Sequence, residues 1–409
     1  MRFPVFIARR FLARQKGTFS AFIIRLAITA TALGVAVMVI SMALISGFKF
    51  AIREKLFSFW GQVLVVPYDT KGTDVVAANP IEYDVKLRKE ITGMQHVTQV
   101  APFALKPGII HANGEMEGIR LKGIDRNFRL NKGLGLTGGA IDFNDTAYSK
   151  DIILSQSTAL RLNLKRGDQL LLYSIDPGGI APRVRRLQVT GLFHTGMEEV
   201  DKNFAICDIR LIQRLSNWSN TMISGYQVEL SNSALADTMA DRIYERYIQP
   251  PMESYSIPRT YEGVFSWLNM QDVNARILLI IVGIMVVINM SAALLILMVD
   301  RSVMVGLLKA LGLPDAGLQH IFIYLAGLIG LWGLLFGNIL GLGLCLLQQH
   351  FGFMHLPEDT YYMETVPVRI IWWHVALIDT GTLLLCVFCM TLPTLYIRRI
   401  QPARVLQFK

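Results

Sequence analysis

Residues 277–299 read ILLIIVGIMVVINMSAALLILMV, twenty-three positions without a charge. A helix of that length rises about 34 Å, enough to cross a hydrocarbon layer of roughly 30 Å. Residues 26–48, 321–347 and 370–397 read the same way, with Asp379 as an acid inside the last. Composition agrees. Hydrophobic residues make up 52% of the 409-residue chain and charged residues 17%, against about a quarter charged in soluble domains. Mean hydropathy is +0.41. These figures exclude intrinsic disorder, collagen-like repeats and a disulfide scaffold. Among the four cysteines, Cys207 lies outside the apolar runs and Cys345, Cys386 and Cys389 inside them, so no intrachain disulfide is expected. The first apolar run exceeds the length of a signal-peptide core, and a retained anchor is expected.

Lys and Arg in short segments set the orientation. Arg2, Arg9, Arg10, Arg14, Lys16 and Arg25 cluster before the first run. Arg301 and Lys309 lie between the second and third, and Arg398, Arg399, Arg404 and Lys409 follow the fourth. Residues 348–368 carry Glu358, Asp359 and Glu364 but no Lys or Arg. Both termini are therefore expected in the cytoplasm. The net charge of +9 reads as a topology signal, and no nucleic-acid partner is expected.

The expected fold is an α-helical membrane protein with four transmembrane helices and a large mixed α+β extracytoplasmic domain inserted between helices one and two. The expected divisions are a cytoplasmic amphipathic helix at 1–20, transmembrane helices at 21–48, 267–299, 317–347 and 369–397, and the extracytoplasmic domain at 49–266. A short cytoplasmic helix at 300–316, an extracytoplasmic loop at 348–368 and a cytoplasmic tail at 398–409 complete the chain. Phe3, Ile7 and Phe11 opposite Arg9, Arg10 and Arg14 suit an interfacial helix. In the large domain, 62–67, 169–175 and 187–193 read as strands, and 155–164 and 233–247 as amphipathic helices. Residues 49–59 and 261–276 read as helical stalks or as plain linkers.

No phosphate loop of the form G-x-x-x-x-G-K-[ST] occurs, nor H-E-x-x-H, and the seven histidines lack metal-ligand spacing. Catalytic and metal-ligating residues, and cofactors on this chain, are therefore not expected. Asp379 is expected to face the bundle, hydrogen-bonded by neighbours. His374 is expected at the interface, and Asn289 in an interhelical hydrogen bond. Gly333, Gly337 and Gly341 recur every four residues, which lets another helix approach closely, within one chain or between two. Between the second and third spans, Val303, Leu307 and Leu311 form a stripe with Leu308 beside it, while Arg301 and Lys309 lie off it. Gly312 and Pro314 end the helix. Such a helix, tied at both ends to membrane spans, suits either a push from another protein or passive rest at the interface.

Several motifs together resemble the permease subunits of MacB-like ABC transporters, most closely the lipoprotein-releasing permeases. They are Ile124-Asp125, Asp151-Ile152-Ile153-Leu154-Ser155, Ala159-Leu160-Arg161-Leu162-Asn163-Leu164, Gly167-Asp168, Val189-Thr190-Gly191-Leu192-Phe193 and Glu199-Val200-Asp201 through Cys207-Asp208. Residues 298–313 and the end with Gln401-Pro402-Ala403 add the family's coupling region and tail. The resemblance implies a non-catalytic permease that pairs with a second copy or a paralogue and with a cytoplasmic ABC ATPase dimer holding ATP and Mg. Arg301, Val303, Leu307, Leu308 and Leu311 would then be the coupling residues. Lipoprotein cargo would sit among Ala36, Ser41, Ile284, Ile288 and Ser291, bounded by membrane lipids. The resemblance further implies a periplasmic lipoprotein chaperone caught by a hairpin, here Pro177, Gly178, Gly179, Ile180, Ala181, Pro182 and Arg183, whose composition departs from the family; an ordinary solvated hairpin is the alternative. Two other functions fit the same architecture: an FtsX-like mechanotransmission subunit controlling a cell-wall hydrolase, and a MacB-like efflux permease. The last is disfavoured because MacB carries its ATPase on the same chain.

Overall fold

The computed structural model describes residues 19–68, 80–128, 132–144, 147–174, 182–356, 363 and 365–389. The amphipathic stretch up to residue 18, the hairpin tip at 176–181 and the tail at 398–409 lie outside them. The chain forms two compact units. One comprises Met1–Phe50, Leu268–His355 and Thr365–Lys409, the other Ala51–Trp267 and Leu356–Glu364.

The helices in chain order are α1 (Phe19–Trp60), α2 (Val85–Thr92), α3 (Gln156–Arg161), α4 (Glu198–Asn203), α5 (Ile209–Leu215), α6 (Ala236–Arg246), α7 (Ile257–Thr260), α8 (Glu262–Asp300), α9 (Ser302–Ala310), α10 (Asp315–Phe351) and α11 (Trp372–Cys389). Of these, α1, α8, α10 and α11 are long and apolar enough to cross a membrane. The strands are β1 (Val63–Pro67), β2 (Ile81–Glu82), β3 (Val97–Ala112), β4 (Glu115–Ile124), β5 (Thr137–Gly138), β6 (Asp151–Ser155), β7 (Gln169–Ser174), β8 (Arg183–Phe193), β9 (Phe204–Asp208), β10 (Met222–Ile223), β11 (Gly225–Leu230) and β12 (Met252–Ser256).

In the helical unit the glycine row of α10 meets α1 of the same chain. A Cβ at Gly337 would lie 2.7 Å from Val35 Cβ and 2.8 Å from the Ala32 carbonyl oxygen, and one at Gly333 would lie 2.7 Å from Thr31 Cγ2. Lipid tails are as apolar as Leu, so close contact of small residues replaces the hydrophobic drive that packs helices in water. Gly312, at φ +88°, turns the chain out of α9, and its N–H donates to the Lys309 carbonyl at 3.0 Å.

In the sheet unit, β3 pairs β11 along 97–103 and β7 along 109–111 on one side, and β4 along 103–112 on the other. Further pairings run β4–β9, β9–β6, β6–β8 and β8–β7. The ring β3–β4–β9–β6–β8–β7 therefore closes on itself and leaves those strands no free edge. Ile110, Leu121, Ile152, Leu154, Leu172, Val189 and Ala205 are buried in its core, and β11, β1 and β12 extend the sheet from β3. One expected helix is shorter than the apolar pattern at 155–164 suggests. Ser155 ends β6 and caps α3, its Oγ accepting the Thr158 N–H at 3.1 Å, and Asn163 turns left-handed at φ +50°.

Candidate functional site

The short helix α9 shows an apolar face that the described residues leave uncovered. Val303, Leu307 and Leu311 are 60%, 51% and 76% exposed, whereas Val305 is buried. The five expected coupling residues thus divide. Leu308 packs inward against the cluster of Leu318, Ile321 and Phe322, so it supports the helix from behind. Arg301 also turns to its own chain: its Nε donates to Ser20 Oγ at 3.2 Å and lies 3.6 Å from Asp300. Lys309 is paired with Asp315 at 2.8 Å, which ties the end of α9 to the start of α10. These three hold the helix; the stripe is what remains available.

The expected cargo residues divide as well. Ala36 is 1% exposed, because a Cβ on Gly341 would reach its Cα at 3.1 Å. Its small size serves α1–α10 packing and leaves no room for an acyl chain. Ser291 and Ser41 are half-buried. Ile284 and Ile288 are exposed, on a face of α8 shared with Ile277, Ile281 and Leu295. Asn289 is exposed on α8 too, and among the described residues it is not bonded across to another helix as expected.

Spans α1 and α8 meet along their length. At one end the Ser20 hydroxyl donates to the Asp300 carboxylate. At mid-span a Cβ on Gly34 would lie 2.5 Å from Val286 Cγ2. At the far end of the apolar stretch Lys49 Nζ lies 2.5 Å from Asp272 Oδ2, with the two side chains 15% and 46% exposed. This part of α1 is fastened from another side as well. The Arg369 N–H donates to the Ala43 carbonyl at 3.1 Å and the Arg369 guanidinium lies 4.0 Å from the Phe50 ring centroid.

Asp379 accepts from Asn338 Nδ2 through both carboxylate oxygens at 2.9 Å. His374 lines an apolar crevice with Val39, Met42 and Ile378.

The sheet unit carries the expected hairpin. Gln169–Ser174 and Arg183–Phe193 pair antiparallel, with Ser174 opposite Arg183. Arg183 is therefore a strand residue and not part of the loop: its Nη1 donates to Leu215 O at 3.0 Å and Asn217 Oδ1 at 2.8 Å. Pro182 is exposed.

The motif residues of this unit are structural anchors. Asp201, buried, accepts from Thr195 N at 3.0 Å, Thr195 Oγ1 at 2.7 Å and Gly196 N at 2.9 Å. Asp208, also buried, takes Arg210 Nη2 at 2.7 Å and Ser149 N at 2.9 Å. Burial pushes the Cys207 thiol up, so it is inert. One further anchor is absent from every motif. Lys122, 1% exposed, donates to the carbonyl of Phe59, in the last turn of α1, and to Gln227 Oε1 at 2.8 Å. Its Nζ lies 4.4, 4.9, 5.4 and 5.9 Å from the ring centroids of Phe59, Trp60, Phe128 and Phe103. A cation at a helix C-terminus complements the helix dipole, and ring faces attract it. Burial nevertheless pulls this ammonium down to about 7, with Glu229 resisting.

Comparison with known proteins also divides the chain in two. Residues 26–245 match the MacB-like periplasmic core domain, and residues 276–402 the FtsX-like permease C-terminal domain. The lipoprotein-releasing system transmembrane protein LolC of Xylella fastidiosa (strain 9a5c) is 27% identical over 423 residues, covering 99% of this chain and 98% of that one. LolC of Neisseria meningitidis serogroup B is 23% identical, covering 98% of each chain. LolE of Haemophilus influenzae is 21% identical, covering 99% of each. Among solved structures, the periplasmic region of MacB from Actinobacillus actinomycetemcomitans aligns at 13% identity and a TM-score of 0.35, covering 50% of this chain and 92% of that one.

Proposed function

Since this chain belongs to the family of FtsX-like permeases with a MacB-like periplasmic core domain, we propose that it is the permease subunit of an ABC transporter that releases lipoproteins from the outer leaflet of the inner membrane. The likeness to LolC and LolE over nearly the whole chain supports the lipoprotein cargo. In this reading the domain between α1 and α8 is periplasmic, both termini are cytoplasmic, and a periplasmic chaperone receives the cargo. A second permease, identical or paralogous, completes the transmembrane part, and ATP is hydrolysed with Mg on a separate ATPase dimer.

The uncovered stripe Val303–Leu307–Leu311 carries this reading. Each buried CH₂ is worth about 0.8 kcal/mol, so drawing two or three acyl chains out of a bilayer is steeply uphill. An outside energy source has to be engaged, and α9 offers the ATPase an apolar face braced from behind by Leu308, Arg301 and Lys309. Leu307→Asp buries a carboxylate at that contact, which costs several kcal/mol, whereas Leu307→Met keeps the apolar volume. The ATPase should co-purify with the Met variant and not with the Asp variant, and lipoprotein release should follow the same division. Normal ATPase association of Leu307→Asp would return α9 to a resting place at the interface. Topology has its own test. Cysteine at Ser233 should react with an impermeant thiol reagent from the periplasmic side, and cysteine at Ser302 should be protected until the membrane is opened.

A further inference from the structure

The seam between α1 and α8 is closed at three levels. Ser20, Asp300 and Arg301 join the helices at one end. Gly34 admits Val286 in the middle, where a Cβ would stand 2.5 Å from Val286 Cγ2. Lys49 and Asp272 meet at 2.5 Å at the other end. Between these points the seam is filled. Ile23, Ile24 and Ala27 share one buried cluster with Val286, Met290, Leu294 and Leu297, and Val35, Met38 and Val39 share another with Leu279 and Val282. The faces turned away from the seam are bare: Phe22, Leu26, Leu33 and Val37 on α1, Ile277, Ile281, Ile284 and Ile288 on α8. Polar groups at membrane depth are retained where they find partners, and here the polar partners mark the two ends of one helix pair.

We infer that α1 and α8 of this chain work as one rigid wall, pinned outside by Lys49–Asp272 and inside by Ser20–Asp300, that stays shut throughout transport. Acyl chains then travel over the bare outer face of the pair, past Ile284 and Ile288, and never between the two helices. The wall itself is read from packing alone; only the statement about acyl chains rests on the lipoprotein-releasing function proposed above. Lys49 and Asp272 are positioning residues here. They fix the angle of the wall and touch no cargo.

The Gly34–Val286 approach supplies the test. Cysteines at both positions fall within reach of a disulfide, whose Cβ atoms stand about 3.5–4.5 Å apart. Membranes holding the full complex of Gly34→Cys/Val286→Cys are oxidised with copper phenanthroline without nucleotide, with ATP, and with ATP plus vanadate. Mass spectrometry of unreduced peptides reads the bridged fraction. That fraction should be the same in all three states, and the bridged complex should release lipoprotein within about twofold of the same protein after reduction. A bridged fraction that falls by half or more in any state overturns the wall. So does release that is lost on oxidation and regained with dithiothreitol.

The outer pin is tested by charge exchange, with the double cysteine variant as background. Lys49→Glu should make bridging dependent on nucleotide, and adding Asp272→Lys should abolish that dependence. Bridging that ignores Lys49→Glu, or that the exchange fails to restore, removes the pin from the proposal. If the unaltered complex releases no lipoprotein at all, the functional reading falls, while the bridged fraction still decides whether the wall is rigid.

Discussion

The two units of this chain handle polar groups in opposite ways. In the helical unit several ionisable groups stand near the ends of the apolar stretches and in pairs: Lys49 with Asp272, Lys309 with Asp315, Asp300 with Ser20 and Arg301. The helix middles are left to Gly, Ala and small side chains in close contact, with Asp379–Asn338 as an interior exception. The sheet unit instead takes Lys122, Asp201 and Asp208 into its core and surrounds each with donors, acceptors or rings. The solvent explains the difference. In water, burying apolar area supplies about 25 cal/mol per Å², which sustains a few saturated polar anchors. Between lipid tails that drive is missing, so helices hold by fit, and each polar group kept inside is costly. The helical unit should therefore be sensitive to added atoms, and the sheet unit to lost partners.

The largest effect is expected where the fit is tightest. Gly337→Leu pushes four carbons into a space where even one Cβ stands 2.7 Å from Val35. Overpacking by single methylenes already costs about 1–3 kcal/mol, so this variant should separate α10 from α1 and fail to assemble. Gly343→Leu is the control: no atom lies within 4 Å of a Cβ built there. Detergent-resistant, monodisperse protein should be recovered for the second and not for the first. Equal recovery would mean that fit does not hold the bundle.

Next comes the loss of an anchor in the sheet unit. Asp201→Ala leaves Thr195 N–H, Thr195 O–H and Gly196 N–H without their acceptor. A buried unsatisfied donor costs about 1–3 kcal/mol each, and urea unfolding followed by circular dichroism should register several kcal/mol. Asp201→Asn keeps an acceptor and should cost less. If the two variants unfold alike, the network contributes through its charge and not through hydrogen bonds.

Much of this contrast is legible in the sequence. Uncharged runs mark the membrane helices because lipid tolerates few alternatives, and the four-residue glycine period marks a close helix contact, though not its partner. The stripe on α9 is visible because one face is apolar at helical spacing. Pairings between distant residues are not visible. Lys49 finds Asp272 across 223 positions and Ser20 finds Asp300 across 280, and no local pattern reports them. Ala36 misleads for a physical reason, since smallness suits a cavity and a tight helix contact equally. Lys122 is hidden by alternation. In Ile119-Arg120-Leu121-Lys122 the charged residues fall on one face and read as solvated. In the closed ring, however, both faces of the end of β4 are covered, and Leu121, Lys122, Gly123 and Ile124 are all buried.

The most gradual effect, a slope with pH, and the one that defines the sheet unit's strategy most closely, concerns the charge on Lys122. Its ammonium is drawn down to about 7 in the folded protein by burial, while the unfolded chain keeps the proton to the ordinary lysine range near 10.4. Between these values the unfolded state binds more protons than the folded state, so stability rises with pH over that interval, by roughly 1 kcal/mol per pH unit. Below 7 both states are charged, and the full cost of burying the ammonium remains. Lys122→Met keeps the length of the side chain and removes the titration. Urea unfolding at a series of pH values from 7 to 10, followed by the fluorescence of Trp60 with the other tryptophans replaced by Phe, gives the difference between the two proteins. Groups that titrate elsewhere cancel in it. The difference should shift steadily in favour of the Lys protein as pH rises. A difference that stays level would mean that the four rings and the Phe59 carbonyl hold the cation charged, with ring attraction offsetting desolvation; the anchor at the end of α1 would then be an ion at every pH the protein meets.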